Sequence, residues 1–220
     1  DKIAYQMAGT GKAITYRDLD ELSNQGAHLF RSLGLKTGDH IAFLLENRLA
    51  FMEICWAAQR AGLYYTAISR YLKQDEIDYI VKDCGAKVVI TSPQCAAQMA
   101  GLVSDAPGAP VFYMLDDPAP GFRSWDKEAG SQPKTPIADE VAGYDMLYSS
   151  GTTGRPKGIK RAHENNPIDV PNPFLKFLCA NMCGMGQDSI YLSPAPLYHA
   201  APLRFNMMAI TLGGTSIIME

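Results

Sequence analysis

Eleven consecutive residues, Tyr148-Ser149-Ser150-Gly151-Thr152-Thr153-Gly154-Arg155-Pro156-Lys157-Gly158, concentrate the groups best suited to holding a polyanion in this 220-residue chain. Besides the tyrosine they carry four hydroxyl side chains, three glycines, an arginine and a lysine. Glycine permits positive φ and lets the backbone approach a bulky anion closely. Successive N–H groups can then converge on one concavity, with serine and threonine hydroxyls as added donors. The lysine is a compact point charge of the kind a polyphosphate needs. Composition of this sort also suits an ordinary surface loop, so the flanking residues decide the reading.

The apolar run Tyr144, Met146, Leu147, Tyr148 predicts a strand that delivers the loop, and Lys160-Arg161-Ala162-His163-Glu164 is expected to lead into a helix. Binding loops carried on buried strands are a common functional arrangement. The loop is not a Walker A motif, which requires G-x-x-x-x-G-K-[ST]. Here Lys157 is followed by Gly158, and the glycine spacing differs. A second glycine-rich stretch, Ala8-Gly9-Thr10-Gly11-Lys12, lacks the upstream glycine and has Ala13 in place of the hydroxyl, so it reads as a hairpin turn between two short strands.

The elements that must position the loop alternate along the chain. Thr15 and Asp18 form a capping-box start, and Leu19, Leu22, Gly26, Leu29, Phe30 and Leu33 mark one helical stripe ended by Gly34. Strands are expected at Asp39–Leu45, Leu63–Ile68, Ala86–Thr91 and Pro110–Leu115, with helices at Leu49–Arg60, Gln74–Asp83 and Pro93–Ser104. Near-continuous apolar strands alternating with helices specify an α/β fold with doubly wound, mostly parallel sheets and helices on both faces. Residues 116–135 read as a surface excursion with one short helix around Trp125. Beyond the loop, a helix is expected somewhere between Glu164 and Cys183, its start obscured by Pro167, Pro171 and Pro173. A strand at Ser189–Leu192, a helix at Leu203–Leu212 and a strand after Gly213-Gly214 complete the pattern.

Bulk properties narrow the function classes. With 47% hydrophobic and 20% charged residues and a net charge of −3, the composition is that of a globular protein and gives no reason to expect nucleic acid. No apolar run approaches the length of a membrane span. Cys55, Cys84, Cys95, Cys179 and Cys183 are odd in number and scattered, which favours reduced thiols in a cytoplasmic protein. Cys179 and Cys183 share a helical spacing without histidine partners, so packing is the simpler reading.

The run from Tyr148 to Gly158 resembles the phosphate-binding signature of the adenylate-forming (AMP-binding) superfamily, [YF]-[ST]-S-G-[ST]-T-G-x-P-K-G, at every position. That superfamily includes acyl-CoA synthetases, firefly-type luciferases and the adenylation domains of peptide synthetases. Ile14-Thr15-Tyr16-Arg17-Asp18-Leu19 resembles its early T-Y-x-x-L helix start, and Arg60-Ala61-Gly62-Leu63-Tyr64-Tyr65 its K-A-G segment, with Ala67 where a proline is usual. Pro196-Leu197-Tyr198-His199-Ala200-Ala201-Pro202 is similar to P-[LF]-[FY]-H-x-x-G, with Pro202 in place of glycine.

The resemblance implies an incomplete N-terminal AMP-binding domain over residues 1–220, most like that of an acyl-CoA synthetase. One α/β subdomain would span about 38–165; residues 1–37 with about 186–220 would begin a second. It implies that Ser149, Ser150, Gly151, Thr152, Thr153, Gly154 and Lys157 hold the β- and γ-phosphates of ATP. His199 would take a positional and electrostatic role beside the carboxylate and the α-phosphate. The implied reaction joins a carboxylate to AMP with release of pyrophosphate, then forms a thioester with CoA. Mg²⁺ is implied as well, its ligand lying outside this chain, because no Y-G-x-T-E segment occurs here. The family's ribose-binding aspartate and C-terminal lysine are also missing, so these residues alone are expected to bind ATP weakly and to turn nothing over. An amino-acid adenylation domain serving a carrier protein, and a non-catalytic nucleotide-binding module, remain alternatives at this point.

Other polar residues read as structural. His163 and Asn165 fit the family's [ST]-H-x-N pattern apart from Ala162, but a cap or packing role is the simpler account of His163. His28 and His40 belong to no constellation, Arg155 is a possible extra anion contact, and Asp116-Asp117 before Pro118 reads as a turn rather than a metal site.

Overall fold

The computed structural model describes residues 2–104, 106–149 and 155–220. The chain opens with an antiparallel hairpin, β1 (Ile3–Met7) and β2 (Ala13–Thr15), around the expected turn. Helix α1 (Tyr16–Ser32) starts on the capping box: Thr15 Oγ1 accepts from Asp18 N, and Asp18 Oδ2 accepts from Thr15 N at 2.8 Å. There follow β3 (His40–Leu44), α2 (Leu49–Arg60), β4 (Tyr64–Ile68), α3 (Gln74–Asp83) and β5 (Ala86–Thr91). A 3₁₀ turn at Pro93–Cys95 leads into the short α4 (Ala96–Met99); the helix expected to reach Ser104 stops early, with Ala100 as its C-cap and Gly101, a poor helix former, next. Next come β6 (Val111–Met114), β7 (Arg123–Ser124), α5 (Trp125–Gly130), β8 (Tyr144–Asp145), β9 (Leu147–Ser149) and β10 (Lys157–Ile159).

Strands β7-β6-β5-β3-β4-β8 form one wholly parallel six-stranded sheet. Its central strand β3 is buried at every residue, as a strand covered on both faces must be. Alternation along β3 and β5 assigns the faces. Ile41, Phe43, Val88 and Ile90 pack with Leu29 and Phe30 of α1 and Ile54 and Ala58 of α2. Ala42, Leu44 and Val89 pack with Ile77, Ile80 and Val81 of α3 on the other face. Helices therefore cover both faces, and the fold is the expected doubly wound α/β arrangement. Helices α1 and α2 approach closely at Gly26, where a Cβ would lie 2.6 Å from that of Ala57. Leu22 departs from the expected buried stripe: it is 37% exposed and borders a small cavity shared with Gln25, Glu53, Trp125 and Asp126.

The region after β10 departs from expectation. Residues 160–166 are irregular rather than helical. The helix waits for Asn172, whose Oδ1 accepts from Leu175 N at 2.9 Å, with Pro173 in the first helical position where its missing N–H costs nothing. It runs as α6 (Pro173–Lys176) into a π-helical turn at Phe177–Met182. The last elements are β11 (Ile190–Ser193), α7 (Ala200–Thr211) and β12 (Thr215–Ile218). A four-stranded sheet of order β11-β12-β1-β2 joins these to the N-terminal hairpin, with β12 parallel to both neighbours. Tyr5, Leu203 and Ile218 of this second sheet region belong to the same core as α1 and α2.

Candidate functional site

The loop stems are built from the edge of the parallel sheet. Met146 leaves β8 with its N–H on Tyr65 O at 2.9 Å and its carbonyl accepting from the buried Thr66 hydroxyl at 2.7 Å. The chain then turns out of the sheet as β9, and β10 returns antiparallel to it, with Ser149 opposite Lys157 and Tyr148 opposite Gly158. The hairpin therefore presents Ser149 and Lys157 as a facing pair at the carboxyl end of β8, and both are exposed. Carboxyl ends of parallel strands are where open α/β sheets bind ligands. Ser150, Gly151, Thr152, Thr153 and Gly154 lie outside the described residues.

Gly158 has a packing reason to be glycine. A Cβ there would fall 2.5 Å from Met146 Cε and 2.9 Å from Tyr148 Cζ, so the Tyr148 ring lies across the space a side chain would take. Tyr148 donates its hydroxyl to Asp83 Oδ2 at 2.5 Å, and burial together with that acceptor raises its pKa well above the usual phenol value. Arg155 places its guanidinium over the Tyr79 ring, 5.1 Å from the centroid, on the far side of the loop.

His199 is the N-cap residue of α7 and is exposed; its side chain makes no capping bond. Its ring lies 4.4 Å from that of Tyr198, which meets Tyr71 edge-on at 6.4 Å. Asn47, just after β3, fixes the approach to this residue: Oδ1 accepts from Leu197 N at 2.9 Å, and Nδ2 donates to Met219 O at 2.8 Å. Pro202 falls in the first turn of α7, where no intrahelical N–H donor is required. One turn beyond His199, Arg204 is paired with Asp145 of β8 at 2.6 Å. The helix bearing His199 and the strand feeding the loop are thus tied together.

The remaining candidates resolve into structure. His163 Nε2 lies 2.9 Å from Gly62 O, its Nδ1 accepts from Asn165 N at 3.2 Å, and its ring packs edge-on against Tyr64 and Tyr144. His40 is buried and stacked on Tyr64, with Lys160 Nζ donating to its Nε2 at 2.8 Å. Nδ1 then carries the proton, and it has no partner. Burial, and after it the Lys160 charge, lower the His40 pKa to about 4. Asp116 adopts φ 57° in its turn and accepts both arms of Arg48, at 3.0 and 3.1 Å. His28 is bonded to Thr135 O. All five cysteines are free thiols, and Cys179 is buried while Cys183 is exposed. Among the described residues no three His, Cys, Asp or Glu side chains converge on a point that could hold a metal ion. No described helix is long and apolar enough to cross a membrane.

Comparison with known proteins bears on this site. The sequence model of a family described as AMP-binding enzyme matches residues 1–220. A feruloyl-CoA synthase from Amycolatopsis sp is 30% identical over 96% of this chain and 39% of its own length. The long-chain-fatty-acid–CoA ligase FadD13 of Mycobacterium tuberculosis is 29% identical over 98% of this chain and 42% of its own. The crystal structure of ATP-bound MatB from Rhodopseudomonas palustris superposes with a TM-score of 0.78 at 25% identity, over 99% of this chain and 42% of that one. The chain thus spans about two fifths of the length of the curated relatives it matches.

Proposed function

Because this chain belongs to the AMP-binding enzyme family, we propose that the full-length protein activates a carboxylic acid with ATP and transfers it to CoA. A carboxylate oxygen attacks the α-phosphorus, the bond to pyrophosphate breaks, and an acyl-adenylate forms. The CoA thiolate then attacks the acyl carbonyl, and AMP leaves. The facing pair of Ser149 and Lys157 at the carboxyl end of the sheet carries this reading. With Ser150, Gly151, Thr152, Thr153 and Gly154 between them, these residues hold the β- and γ-phosphates, where positioned donors and cations stabilise charge on the departing pyrophosphate. His199, presented at the start of α7 beside Tyr198, aids the approach of one anion to another by position and charge.

In this reading the two sheets belong to two α/β subdomains of an N-terminal AMP-binding domain, one spanning about 38–165 and the other 1–37 with about 186–220. The Y-G-x-T-E segment that carries the family's Mg²⁺ ligand does not occur in these 220 residues, which on this reading turn nothing over by themselves. The free thiols are in keeping with a cytoplasmic enzyme. The CoA-ligase names of the relatives favour CoA over a carrier protein as acceptor. The test is to incubate the full-length protein with ATP, Mg²⁺, CoA and a panel of aryl and fatty acids. Formation of AMP, pyrophosphate and an acyl-CoA in equal amounts is the expected result; ATP hydrolysis to ADP, or no acid-dependent product, refutes the proposal.

A further inference from the structure

Tyr79 and Asp83 stand one turn apart on α3, and each takes hold of a different stem of the phosphate loop. On the incoming strand, Tyr148 donates to Asp83 Oδ2 at 2.5 Å. On the outgoing side, Arg155 lies over the Tyr79 ring at 5.1 Å. The Tyr79 hydroxyl also reaches Asp83 Oδ1 at 3.4 Å, which links the two grips. The i, i+4 spacing is what brings the two side chains to one face.

Neither residue is required to build the helix. Its buried face is Ile77, Ile80 and Val81, with the partly buried Tyr79 ring packed at the edge of the same cluster, whereas Asp83 is exposed. Asp83 is the last residue of α3, where a carboxylate opposes the helix dipole. A local cost of that kind is offset by a contact made elsewhere, and the contact it makes is with the loop stem. Holding both stems fixes where Ser149 and Lys157 stand before an anion arrives.

We propose that Tyr79 and Asp83 are positioning residues for nucleotide binding, setting the stems from which Ser149 and Lys157 act on the ATP phosphates. This rests on the adenylate-forming reading above. The contacts are made by α3 and not by any group that touches ATP, so the effect is on the loop's readiness and not on the chemical step.

The experiment measures kcat and the KM values for ATP and for the carboxylate in the full-length protein, together with the Tm. The variants are Tyr79→Ala, Tyr79→Phe and Asp83→Ala, with Lys157→Ala alongside. Tyr79→Ala is expected to raise the KM for ATP by about 2- to 5-fold, the factor that one exposed cation–π contact supplies. Asp83→Ala is expected to raise it by about tenfold, since a charge-assisted hydrogen bond is lost. The carboxylate KM stays near its wild-type value in both alanine variants and the Tm does so in Asp83→Ala, while Tyr79→Phe, which keeps the ring and its packing, holds both the Tm and the ATP KM, the latter to within about twofold. An unchanged or lowered ATP KM in both alanine variants overturns the inference. So does an ATP KM that rises only in step with the carboxylate KM and a falling Tm. If the wild type is active and Lys157→Ala impaired while the α3 variants behave as wild type, this inference alone fails. A wild type without ATP-dependent turnover refutes the underlying reading and the inference with it.

Discussion

Arg204 grips Asp145 with one edge of its guanidinium, Nε donating to Oδ1 at 3.1 Å and Nη2 to Oδ2 at 2.6 Å. The pair is partly buried, at 30% and 16% side-chain exposure, and it joins α7 to the strand that feeds the loop. Lysine cannot reproduce this two-pronged geometry. Replacing Arg204 by alanine leaves the Asp145 carboxylate without its partner, and is expected to cost about 2–3 kcal/mol of stability. Arg204→Lys should recover less than half of that. Urea unfolding of the three proteins measures it, and a loss under about 0.5 kcal/mol, the size of an exposed pair, contradicts it.

The Tyr148 ring occupies the place where a Gly158 side chain would stand. Gly158→Ala is therefore expected to displace Tyr148 and Met146 and to shift the register of Ser149 against Lys157. The KM for ATP in the full-length protein should rise by about tenfold or more, while the Tm falls by only a few degrees, about 1 kcal/mol of stability. An alanine variant with wild-type ATP kinetics would show that the close contact is dispensable.

His40 gives the stability a pH dependence of known sign. The groups facing it are Lys160, Asp39 and Tyr64, and its native pKa lies near 4 against an ordinary 6.5. Between those values the unfolded chain binds a proton that the native state refuses, so stability is lost as pH falls from 6.5 towards 4. The contribution is about 1–2 kcal/mol after allowance for solvent access. In His40→Gln the drop in unfolding free energy between pH 7 and pH 5, read from urea titrations, should shrink by that amount. An identical drop in both proteins contradicts it.

Glu53 behaves in the opposite sense. Burial, and then the nearby Asp126 charge, raise its pKa from 4.5 to about 7. The native state keeps a proton that the unfolded chain releases, so stability falls as pH rises from 4.5 through 7. Glu53→Gln, which is neutral at every pH, is expected to stabilise the fold at pH 8 by about 1–2 kcal/mol and to change little at pH 4. Urea midpoints at the two pH values decide it, and equal effects at both would refute the assignment.

The legible parts of this molecule were those governed by short-range pattern. Runs such as Ala86–Thr91 declare a strand buried on both faces, and Thr15 with Asp18 declares a helix start, because each depends on neighbours in sequence. The two-residue strand β7 carries no such pattern; it exists because β6 offers it an edge. Pro167 and Pro171 hid the late helix start, which is settled by Asn172 capping Leu175. Ser149 and Lys157 are proposed from their own run, and His199 from the resemblance of Pro196–Pro202 to a family segment. The groups that hold the site together were not legible in this way, since Arg204 lies 59 residues from Asp145 and Tyr148 lies 65 from Asp83. Only the sheet topology brings those partners within reach.

The central claim is that the hairpin of Ser149 and Lys157 grips the phosphates of ATP during acid activation. Carboxylate-dependent exchange of labelled pyrophosphate into ATP by the full-length protein tests it most directly, with Lys157→Ala as the comparison. The account predicts exchange with at least one acid in the wild type, and about a hundredfold less in the variant at unchanged Tm, as for removal of one transition-state donor. Exchange at equal rates in both proteins, or none with any acid, would contradict it.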